Sequence, residues 1–466
     1  MKQILIIGGG ITGLASAFYL QEEIKAKNLP FKIKLVEASN RLGGKIATVH
    51  RDGFTIERGP DSFLARKKPA VKLVEKLGLQ DDLVRNASGQ SYILVKRKLH
   101  KIPQGSFMGI PTEVSPFLFS GLFSTKGKLR AGLDYVRPKG KVEGDQSLGL
   151  FFRRRFGDEL VENLIEPLLS GIYSGDIDQM SLMATFPNFY HLEQKYGSII
   201  KGLQKTMPKK PKQKKKKKPQ GIFFTLKNGF ETLVTAIERK LDNDVVSTST
   251  AVDHVQKKEN HYHVLLSDGS VYKADAIIVT TPHESIANMF SQYEELKVVQ
   301  DIPNSSVANV ALAFDEKAIK KDLDGTGFVV SRNSDFRITA CTWTHRKWPH
   351  STPEGKVLLR SYVGGPHDMD AVNLSDDELV EIVLKDLNKT MKIKRDPLFK
   401  VVTRFNNVMP QYTVGHLERI KQIREFAEKN LPGVFFAGAS FDGVGVPDCI
   451  EQGEKAVEHV MEYMEK

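Results

Sequence analysis

The feature that most constrains this chain is a glycine-rich loop near its N-terminus, Gly8-Gly9-Gly10-Ile11-Thr12-Gly13. An apolar run over 2–7 precedes the loop, and apolar side chains recur at helical spacing over 11–28, so the loop is predicted to join a buried strand to a helix. Residues 31–36 read as a second strand that ends at Glu37. In such a βαβ unit the first glycine permits a tight turn, the second admits a ligand close to the backbone, and the third lets helix and strand pack together.

This unit predicts a Rossmann-type site for a dinucleotide. The start of the helix offers free N–H groups and partial positive charge to a diphosphate. Glu37, followed by Ala38, stands where a carboxylate can accept hydrogen bonds from ribose hydroxyls. NAD and FAD share this pattern, so the loop does not choose between them. A secretory signal over the uncharged stretch 4–20 is the alternative, but glycines interrupt it and no cleavage site follows cleanly.

Charge and cysteine content exclude several classes of protein. The net charge is +12, but eight lysines between Lys209 and Lys218 supply most of it, so the rest of the chain is only mildly basic. A general nucleic-acid-binding protein is therefore not indicated, and the lysine run is expected to be a mobile surface loop. The two cysteines, Cys341 and Cys449, form no CxxC pair, which argues against a disulfide framework or a zinc site.

The predicted elements indicate an α/β fold in which the dinucleotide domain is discontinuous. Strands are expected over 274–280 and 433–438 and a helix over 450–464, while 151–169 look helical and 307–313 and 328–343 look like strands of a separate sheet. The predicted dinucleotide-binding domain comprises 1–68, 221–298 and 425–466. A mixed-sheet substrate-binding domain comprises 69–88 and 299–424, a helical subdomain comprises 89–208, and the lysine-rich loop comprises 209–220.

A second motif follows Glu37 closely. Arg41-Leu42-Gly43-Gly44-Lys45 resembles the second FAD motif of the flavin amine oxidase, phytoene desaturase and protoporphyrinogen oxidase superfamily. Gly44 would let the loop pass close to the cofactor, and Arg41 and Lys45 would place positive charge near its diphosphate. An ordinary basic turn is the alternative interpretation.

The resemblance continues along the chain. Gly59-Pro60-Asp61-Ser62 is similar to the segment that passes the flavin ring in this superfamily, and 435–446 is similar to its last FAD motif. The resemblance implies FAD as the cofactor, with these contacts from the later part of the chain: Val252, Phe405, Gly438, Val444, Gly445 and Val446.

Longer segments resemble a narrower family, the bacterial oxygen-dependent coproporphyrinogen III oxidases. These segments are 59–63, 166–173 and 331–336. The resemblance implies removal of six hydrogens from a porphyrinogen of haem biosynthesis in three two-electron steps, with O2 as acceptor and H2O2 as product. It implies oxidation of coproporphyrinogen III, and also of protoporphyrinogen IX. No catalytic side chain and no metal is expected, because the flavin carries the chemistry.

The substrate would be an apolar disc with carboxylates on its rim, so its pocket needs apolar walls and cations. By resemblance, Gly171 and Ile172 would line the ring and Lys67 would meet a propionate. Phe328 and Trp343 could supply wall surface. A solvated lysine and two ordinary core aromatics are the alternatives.

Two further segments leave their roles open. The run Arg153-Arg154-Arg155 could face the substrate or a partner such as ferrochelatase, but a solvated helix face is the simpler interpretation. Residues 102–123 are rich in phenylalanine and proline; they could lie on a membrane surface or, as favoured here, line the helical subdomain. The expected location is the cytoplasm, with peripheral attachment to the inner face of the cell membrane as the alternative.

Two competing functions are weighed against the porphyrinogen oxidase. Another FAD oxidase of the superfamily could act on an amine or a carotenoid, but no aromatic pair for an amine is identified and the chain is less apolar than a carotenoid enzyme would favour. A basic protein could use 209–218 to bind phosphates without sequence specificity. That reading leaves the FAD motifs unexplained, so no specific nucleic acid is expected as a partner.

Overall fold

The computed structural model describes residues 1–87, 89–141, 144–207, 221–321 and 323–465. The predicted lysine-rich loop therefore lies outside the described residues. Helices and strands both contribute large parts of the fold, as an α/β assignment requires.

The strands, in chain order, are β1 (Lys2–Ile7), β2 (Phe31–Val36), β3 (Thr48–Arg51), β4 (Phe54–Glu57), β5 (Phe63–Leu64), β6 (Leu83–Arg85), β7 (Tyr92–Val95), β8 (Lys98–Lys101), β9 (Ser106–Phe107), β10 (Ile110–Pro111), β11 (Phe223–Leu226), β12 (Val246–Ser247), β13 (Val252–Lys257), β14 (Tyr262–Leu266), β15 (Val271–Ala274), β16 (Ala276–Val279), β17 (Asn304–Asp315), β18 (Gly327–Val330), β19 (Ile338–Trp343), β20 (Lys356–Gly364), β21 (Phe399–Pro410) and β22 (Val434–Phe436).

The α-helices are α1 (Ile11–Lys27), α2 (Lys68–Lys76), α3 (Val114–Leu118), α4 (Thr125–Gly132), α5 (Leu148–Phe156), α6 (Asp158–Leu160), α7 (Glu166–Tyr173), α8 (Leu182–Thr185), α9 (Pro187–Tyr196), α10 (Ile199–Thr206), α11 (Glu231–Lys240), α12 (His283–Met289), α13 (Thr344–Lys347), α14 (Asp376–Met391), α15 (His416–Asn430) and α16 (Val446–Met464). Single 3-10 turns and a π-helical segment, Val161–Ile165, connect some of them.

A five-stranded parallel sheet forms the first layer, with the order β12-β2-β1-β16-β22. Its strands come from the N-terminal, middle and C-terminal parts of the chain, as predicted. The central strand β1 pairs with β2 on one side and β16 on the other, and its residues 4–7 are buried. A continuous apolar run of this kind is what a strand covered on both faces requires.

Helix α1 covers one face of this sheet. Residues 12–21 are buried, because α16 and α11 pack against α1 in addition to the sheet. The helix ends at Asn28, whose left-handed conformation (φ 50°) directs its N–H to the carbonyls of the last turn, a common way to end a helix. The predicted helix over 11–28 and the strands on either side of it are confirmed.

A seven-stranded sheet forms the second large layer, with the order β21-β17-β20-β19-β18-β7-β8. It contains the strands predicted over 307–313 and within 328–343, and helix α14 packs on it. Its β7–β8 hairpin corrects the predicted domain limits: residues 92–101 were assigned to the helical subdomain, but β7 pairs with β18 of this sheet. Strand β7 is apolar throughout because both of its faces are buried: Tyr92 and Leu94 join the core that includes α14, while Ile93 and Val95 join the core of the helical region.

Residues 69–88 also lie elsewhere than predicted. They were assigned to the substrate-binding domain, whereas α2 packs against α16, and Ala70, Leu73 and Val74 share the buried core of the parallel sheet. The segment then returns through β6, which pairs with β11. The prediction was wrong because the periodicity of α2 shows that the helix has an apolar face but does not show which element packs against that face.

The helical region has its own aromatic core, which includes Phe151, Phe152, Phe156 and Phe189. The helix predicted over 151–169 is interrupted: α5 ends at Gly157, and α6 and the π-helical segment precede α7. Gly157 has φ 85°, a left-handed conformation that glycine adopts without strain and that ends a helix.

The arginine run differs from the predicted solvated face. Arg155 is fully buried and forms ion pairs with Asp134 (2.5 Å) and Glu193 (3.1 Å). Arg154 also pairs with Glu193, and Arg153 pairs with acids of neighbouring elements. These guanidinium groups hold the helical region together internally, so the run does not form the partner-binding surface considered from the sequence.

Residues 102–123 divide between the two interpretations. Phe117, Leu122 and Phe123 are buried in the aromatic core, as favoured, whereas Leu118 and Phe119 are exposed, Phe119 by 88%. In the part of the chain that the structure describes, no helix is long and apolar enough to cross a membrane. Both cysteines are free and buried.

Candidate active site

A cavity of about 1890 Å³ opens at the carboxyl ends of the parallel strands. The ends of β1, β2, β16 and β22 lead into four loops around it, and ligands of open α/β sheets bind at this edge. The cavity continues between α7 and the seven-stranded sheet. Its volume is roughly twice the upper end of the range usual for small-molecule pockets, about 300–1,000 Å³, so it has room for a dinucleotide and a second large ligand.

The glycine loop has the predicted geometry. Gly8 has φ 106°, and a Cβ atom at Gly13 would lie 1.9 Å from the Gly8 carbonyl oxygen, so only glycine allows this contact between loop and helix. At Gly10 a Cβ atom would meet nothing within 4 Å, because this position faces the cavity. Gly10 precedes α1 without a capping side chain, which leaves the first N–H groups of the helix for an anion.

Glu37 ends β2 and lines the same cavity. Its Oε2 accepts a hydrogen bond from the Gly9 N–H (2.6 Å), and its Oε1 accepts from the N–H and hydroxyl of Ser39. The carboxylate is therefore held in place beside the glycine loop. Oε2 can still accept a further hydrogen bond, as contact with a ribose hydroxyl would require.

The second glycine loop lies against the first. The Gly43 N–H donates to the Gly9 carbonyl (2.8 Å), and a Cβ atom at Gly44 would lie 3.3 Å from the Gly10 Cα atom. Arg41 donates to carbonyls of its own loop, including that of Ile46 (3.0 Å), and so fixes the loop's shape.

Lys45 provides a direct test of whether an anionic cofactor fits. Burial lowers the pKa of Lys45, and within the described ranges its ammonium group has no hydrogen-bond or ion-pair partner. Lys45 is partly buried, and a cation withdrawn from water without a partner is costly. A diphosphate at the neighbouring Gly10 and the start of α1 would supply the missing negative charge. The residues present therefore fit a dinucleotide such as FAD.

The segment 58–62 passes along the cavity and is anchored from behind by Asp61. Asp61 accepts hydrogen bonds from Lys347 (3.0 Å) and from the indole N–H of Trp348, and it pairs with Arg360 (3.2 Å). Burial alone would raise the pKa of Asp61, but Lys347 and Arg360 outweigh it and hold the pKa well below its usual range. Asp61 thus points away from the cavity, which Gly59, Pro60 and Ser62 line.

The C-terminal loop between β22 and α16 is fixed by Tyr412 and Gln452. The Tyr412 hydroxyl donates to the Ala439 carbonyl (2.7 Å) and accepts from the Gly443 N–H (2.7 Å). The Gln452 side-chain oxygen accepts from the Gly438 N–H (3.0 Å). These contacts shape the turn that brings the start of α16 to the cavity. The conformation of the predicted FAD motif at 435–446 therefore depends on Tyr412 and Gln452, which sequence analysis did not identify.

Most residues predicted to bind the cofactor surround this one cavity. The following line it: Gly8, Gly10, Ile11, Thr12, Glu37, Ala38, Arg41, Gly44, Lys45, Gly59, Pro60, Ser62, Val252, Phe405, Val444, Gly445 and Val446. The others, Gly9, Gly13, Asp61 and Gly438, lie behind its wall, where their backbone or side-chain contacts shape the loops.

The predicted substrate residues divide into two groups. Gly171 and Ile172 lie at the cavity on α7. Phe328 and Trp343 lie in the core between the seven-stranded sheet and α14, where their rings contact each other at 6.2 Å, so core packing accounts for both. Lys67 lies outside the cavity lining and forms an ion pair with Asp448. For these three residues the structure differs from the predicted roles.

Besides Arg41 and Lys45, the cavity lining contains five cations that the sequence analysis did not assign to a ligand. Its basic residues are Arg41, Lys45, Arg58, Arg332, Arg337, Lys347 and Arg404, and its acidic residues are Glu37, Glu166 and Asp368. Arg332, Arg337, Lys347 and Arg404 are each paired with a carboxylate. Among the described residues Arg41, Lys45 and Arg58 have no acidic partner, and their positive charge favours anionic ligands. Arg332 and Glu166 belong to the segments 331–336 and 166–173, which the resemblance had identified. The resemblance did not indicate that these two side chains contact each other.

Comparison with known proteins agrees with this site. The model of the family described as flavin containing amine oxidoreductase matches residues 11–461. The chain is 54% identical to coproporphyrinogen III oxidase of Bacillus subtilis (strain 168), covering 99% of this chain and 98% of that protein. It is 46% identical to the enzyme of the same name from Staphylococcus aureus, covering 99% of each.

A solved structure extends the comparison to the fold. The crystal structure described as a protoporphyrinogen oxidase of Exiguobacterium sp. 255-15 superposes with a TM-score of 0.88 at 38% identity, covering all of this chain and 99% of that one. Sequence, fold and the flavin-sized cavity thus agree along the full length. This chain belongs to the flavin-containing amine oxidoreductase family, and its cofactor is FAD.

Proposed function

We propose that this protein is an FAD-dependent oxidase that converts coproporphyrinogen III to coproporphyrin III in haem biosynthesis, with O2 as acceptor and H2O2 as product. It also oxidises protoporphyrinogen IX. The observation that carries the proposal is the 54% identity to a coproporphyrinogen III oxidase across 99% of the chain. The volume and positive charge of the cavity support it, because a porphyrinogen is a large apolar ring with carboxylates at its edge.

The chain's own residues would bind and orient rather than react. When bound, FAD accepts two electrons at a time as a hydride, so three rounds complete the six-electron oxidation. The start of α1, Arg41 and Lys45 would hold the diphosphate, and Glu37 would hold the ribose. Helix α7 and strands β18 and β19 would enclose the ring and limit the entry of water, with the cations of the lining meeting its carboxylates.

The direct test is oxidation of coproporphyrinogen III in air by the purified holoenzyme, followed by porphyrin fluorescence. We expect flavin absorption bands, a rise in fluorescence, and about three H2O2 per porphyrin, as three two-electron steps require. Bound flavin without porphyrin formation would contradict the proposed substrate. An amine or carotenoid oxidase would then be the competing assignment.

Replacing Gly171 by leucine is expected to block the substrate without affecting the cofactor. A Cβ atom at Gly171 meets no protein atom within 4 Å and faces the cavity, so a leucine side chain would occupy space needed by the ring. We expect kcat/KM for coproporphyrinogen III to fall by at least about 10-fold, or 1.4 kcal/mol, at unchanged flavin content. Gly132→Leu is the matched control, because Gly132 is also helical and unobstructed but lies outside the cavity lining. An equal loss in both variants would contradict this placement of the substrate.

We further propose a cytoplasmic location with peripheral attachment to anionic membranes. Leu118, Phe119 and Leu129 are exposed by 50%, 88% and 71%, and Lys126 and Lys128 lie on α4 together with Leu129. Exposed apolar side chains near lysines suit the surface of an anionic bilayer. We also propose transient contact with a ferrochelatase, because an apolar macrocycle is better transferred directly than released into water.

Attachment is tested by co-sedimentation with vesicles that contain phosphatidylserine. We expect the wild type to bind them and Phe119→Ser to bind more weakly, since an aromatic ring at the interface supplies much of the buried apolar area. Val271→Ser is the control, because Val271 is also exposed but lies on β15, far along the chain from α3 and α4. Equal binding by both variants would contradict attachment through this region.

A further inference from the structure

Glu166 is a buried carboxyl group at the substrate end of the cavity. It begins α7, five residues before Gly171, and lines the cavity. Its side chain is 8% exposed. Oε1 lies 2.6 Å from the Arg332 guanidinium, whereas Oε2 is buried and has no hydrogen-bond partner. A buried carboxyl oxygen without a partner is unusual and is most often found where a ligand or a proton completes the site.

The charges around Glu166 hold it between its two protonation states. Burial raises the pKa of Glu166 to about 7, and Asp178 contributes to the increase, while Arg332 and Arg153 oppose it. The Arg332 side chain is shared, because it also pairs with Asp176 (3.2 Å) and Asp178 (3.3 Å) and contacts His367. Arg332 is therefore only partly available to neutralise Glu166.

The proposed reaction needs a proton acceptor as well as an electron acceptor. Each two-electron oxidation of a porphyrinogen takes a hydrogen with its bonding electron pair from a bridging carbon and releases one proton from the ring. The electron pair passes through the flavin to O2, which takes up two protons and leaves as H2O2. Three such rounds remove six hydrogens and consume three O2. Conversion to the porphyrin takes four of these hydrogens from bridging carbons and two from pyrrole nitrogens, so of the three protons released, two come from N–H groups and one from the fourth bridging carbon.

We propose that Glu166 accepts the proton that the ring releases in each oxidation and passes it to water at the cavity mouth. This inference rests on the proposed function and names a catalytic residue for it. The carboxylate is the active form. Protonation of Glu166 before substrate binding removes the acceptor, so kcat/KM falls as the pH is lowered through about 7.

The test compares Glu166→Gln with Glu162→Gln. Glu162 lies about one helical turn earlier and also bonds an arginine, Arg153, but does not line the cavity. We expect E166Q to lower kcat for coproporphyrinogen III by about 100-fold and to remove the decline of kcat/KM at low pH. E162Q keeps both. Glu166→Asp, which keeps a carboxyl group but places it differently, restores part of the rate and a decline of kcat/KM at low pH whose midpoint is shifted from that of the wild type.

Two readouts separate catalysis from structure. Flavin content and the dissociation constant of coproporphyrin III, measured by absorbance titration, are expected to be unchanged in E166Q. A variant that loses product binding or flavin but keeps the wild-type pH profile would show that Glu166 only supports the fold, and would overturn this assignment. If E166Q does not fold, a pH profile of E166D identical to that of the wild type in shape and midpoint would likewise contradict it, because a shorter carboxylate in the same place must titrate differently.

Different results would contradict the proposed function and the proposed role of Glu166. A flavin-bound wild type that does not oxidise coproporphyrinogen III contradicts both. An active wild type whose pH profile survives in E166Q contradicts only the role of Glu166.

Discussion

Replacing Arg155 by methionine is expected to lower the free energy of unfolding by about 3–5 kcal/mol. Arg155 is fully buried, and its guanidinium pairs with Asp134 and Glu193, which are themselves 0% and 1% exposed. It also donates to the carbonyls of Pro138 and Gly197. Methionine fills a similar volume but leaves the buried carboxylate of Asp134 without its cation and Glu193 with Arg154 alone, and a buried charge without a partner is costly.

The measurement is urea unfolding of the holoenzyme, followed by circular dichroism and by flavin fluorescence. Arg97→Met is the control, because Arg97 pairs with Asp335 at the surface, where the two side chains are 64% and 71% exposed. Exposed pairs contribute at most about 1 kcal/mol. A loss below about 1 kcal/mol in R155M would mean that the buried cluster contributes no more than a surface pair.

Replacing Gly13 by alanine is expected to abolish flavin binding and to destabilise the protein. The new Cβ atom would lie 1.9 Å from the Gly8 carbonyl oxygen and 2.7 Å from the Thr280 hydroxyl. The first of these is a backbone atom, so α1 must move away from the loop, and the N–H groups at its start then no longer converge on the diphosphate. We expect the FAD affinity to fall by more than about 100-fold, or 2.7 kcal/mol.

Gly10→Val separates the two effects of the loop. A Cβ atom at Gly10 meets no protein atom within 4 Å, so the apoprotein should keep its stability while the side chain occupies the position where the diphosphate approaches. Flavin content per protein and thermal unfolding of the apoproteins are the measurements. We expect G13A to lose both flavin and stability, and G10V to lose flavin alone. An apoprotein of G13A as stable as the wild type would contradict the packing role of Gly13.

The cofactor half of the site could be predicted from the sequence because it is built from local patterns. A strand, a glycine loop and a helix are adjacent in the chain, and the required φ of Gly8 and the contact at Gly13 follow from their order. The later motifs follow strands β2 and β22, and parallel strands end at one edge of the sheet. Their convergence on one cavity was therefore contained in the sequence.

The substrate half was only partly predictable. Gly171 and Ile172 were identified by resemblance and lie at the cavity, but Phe328 and Trp343 proved to be core residues. Alternation along a strand shows that one face is buried and does not show whether the burial is against a helix or a ligand. In β18 the Phe328 side faces α14 and the core, while the neighbouring Val329 lines the cavity.

The sequence by itself determined the α/β class, the parallel sheet, the cofactor loop and the family, since each depends on residues close together in the chain or on motifs in a fixed order. Only the tertiary structure decided which charges meet. Arg155 reads as a surface residue until Asp134 and Glu193 are brought to it, 21 and 38 residues away. Glu166 meets Arg332 across 166 positions of sequence. Pairing, burial and pKa depend on distances in space, and a linear pattern of residues does not contain them.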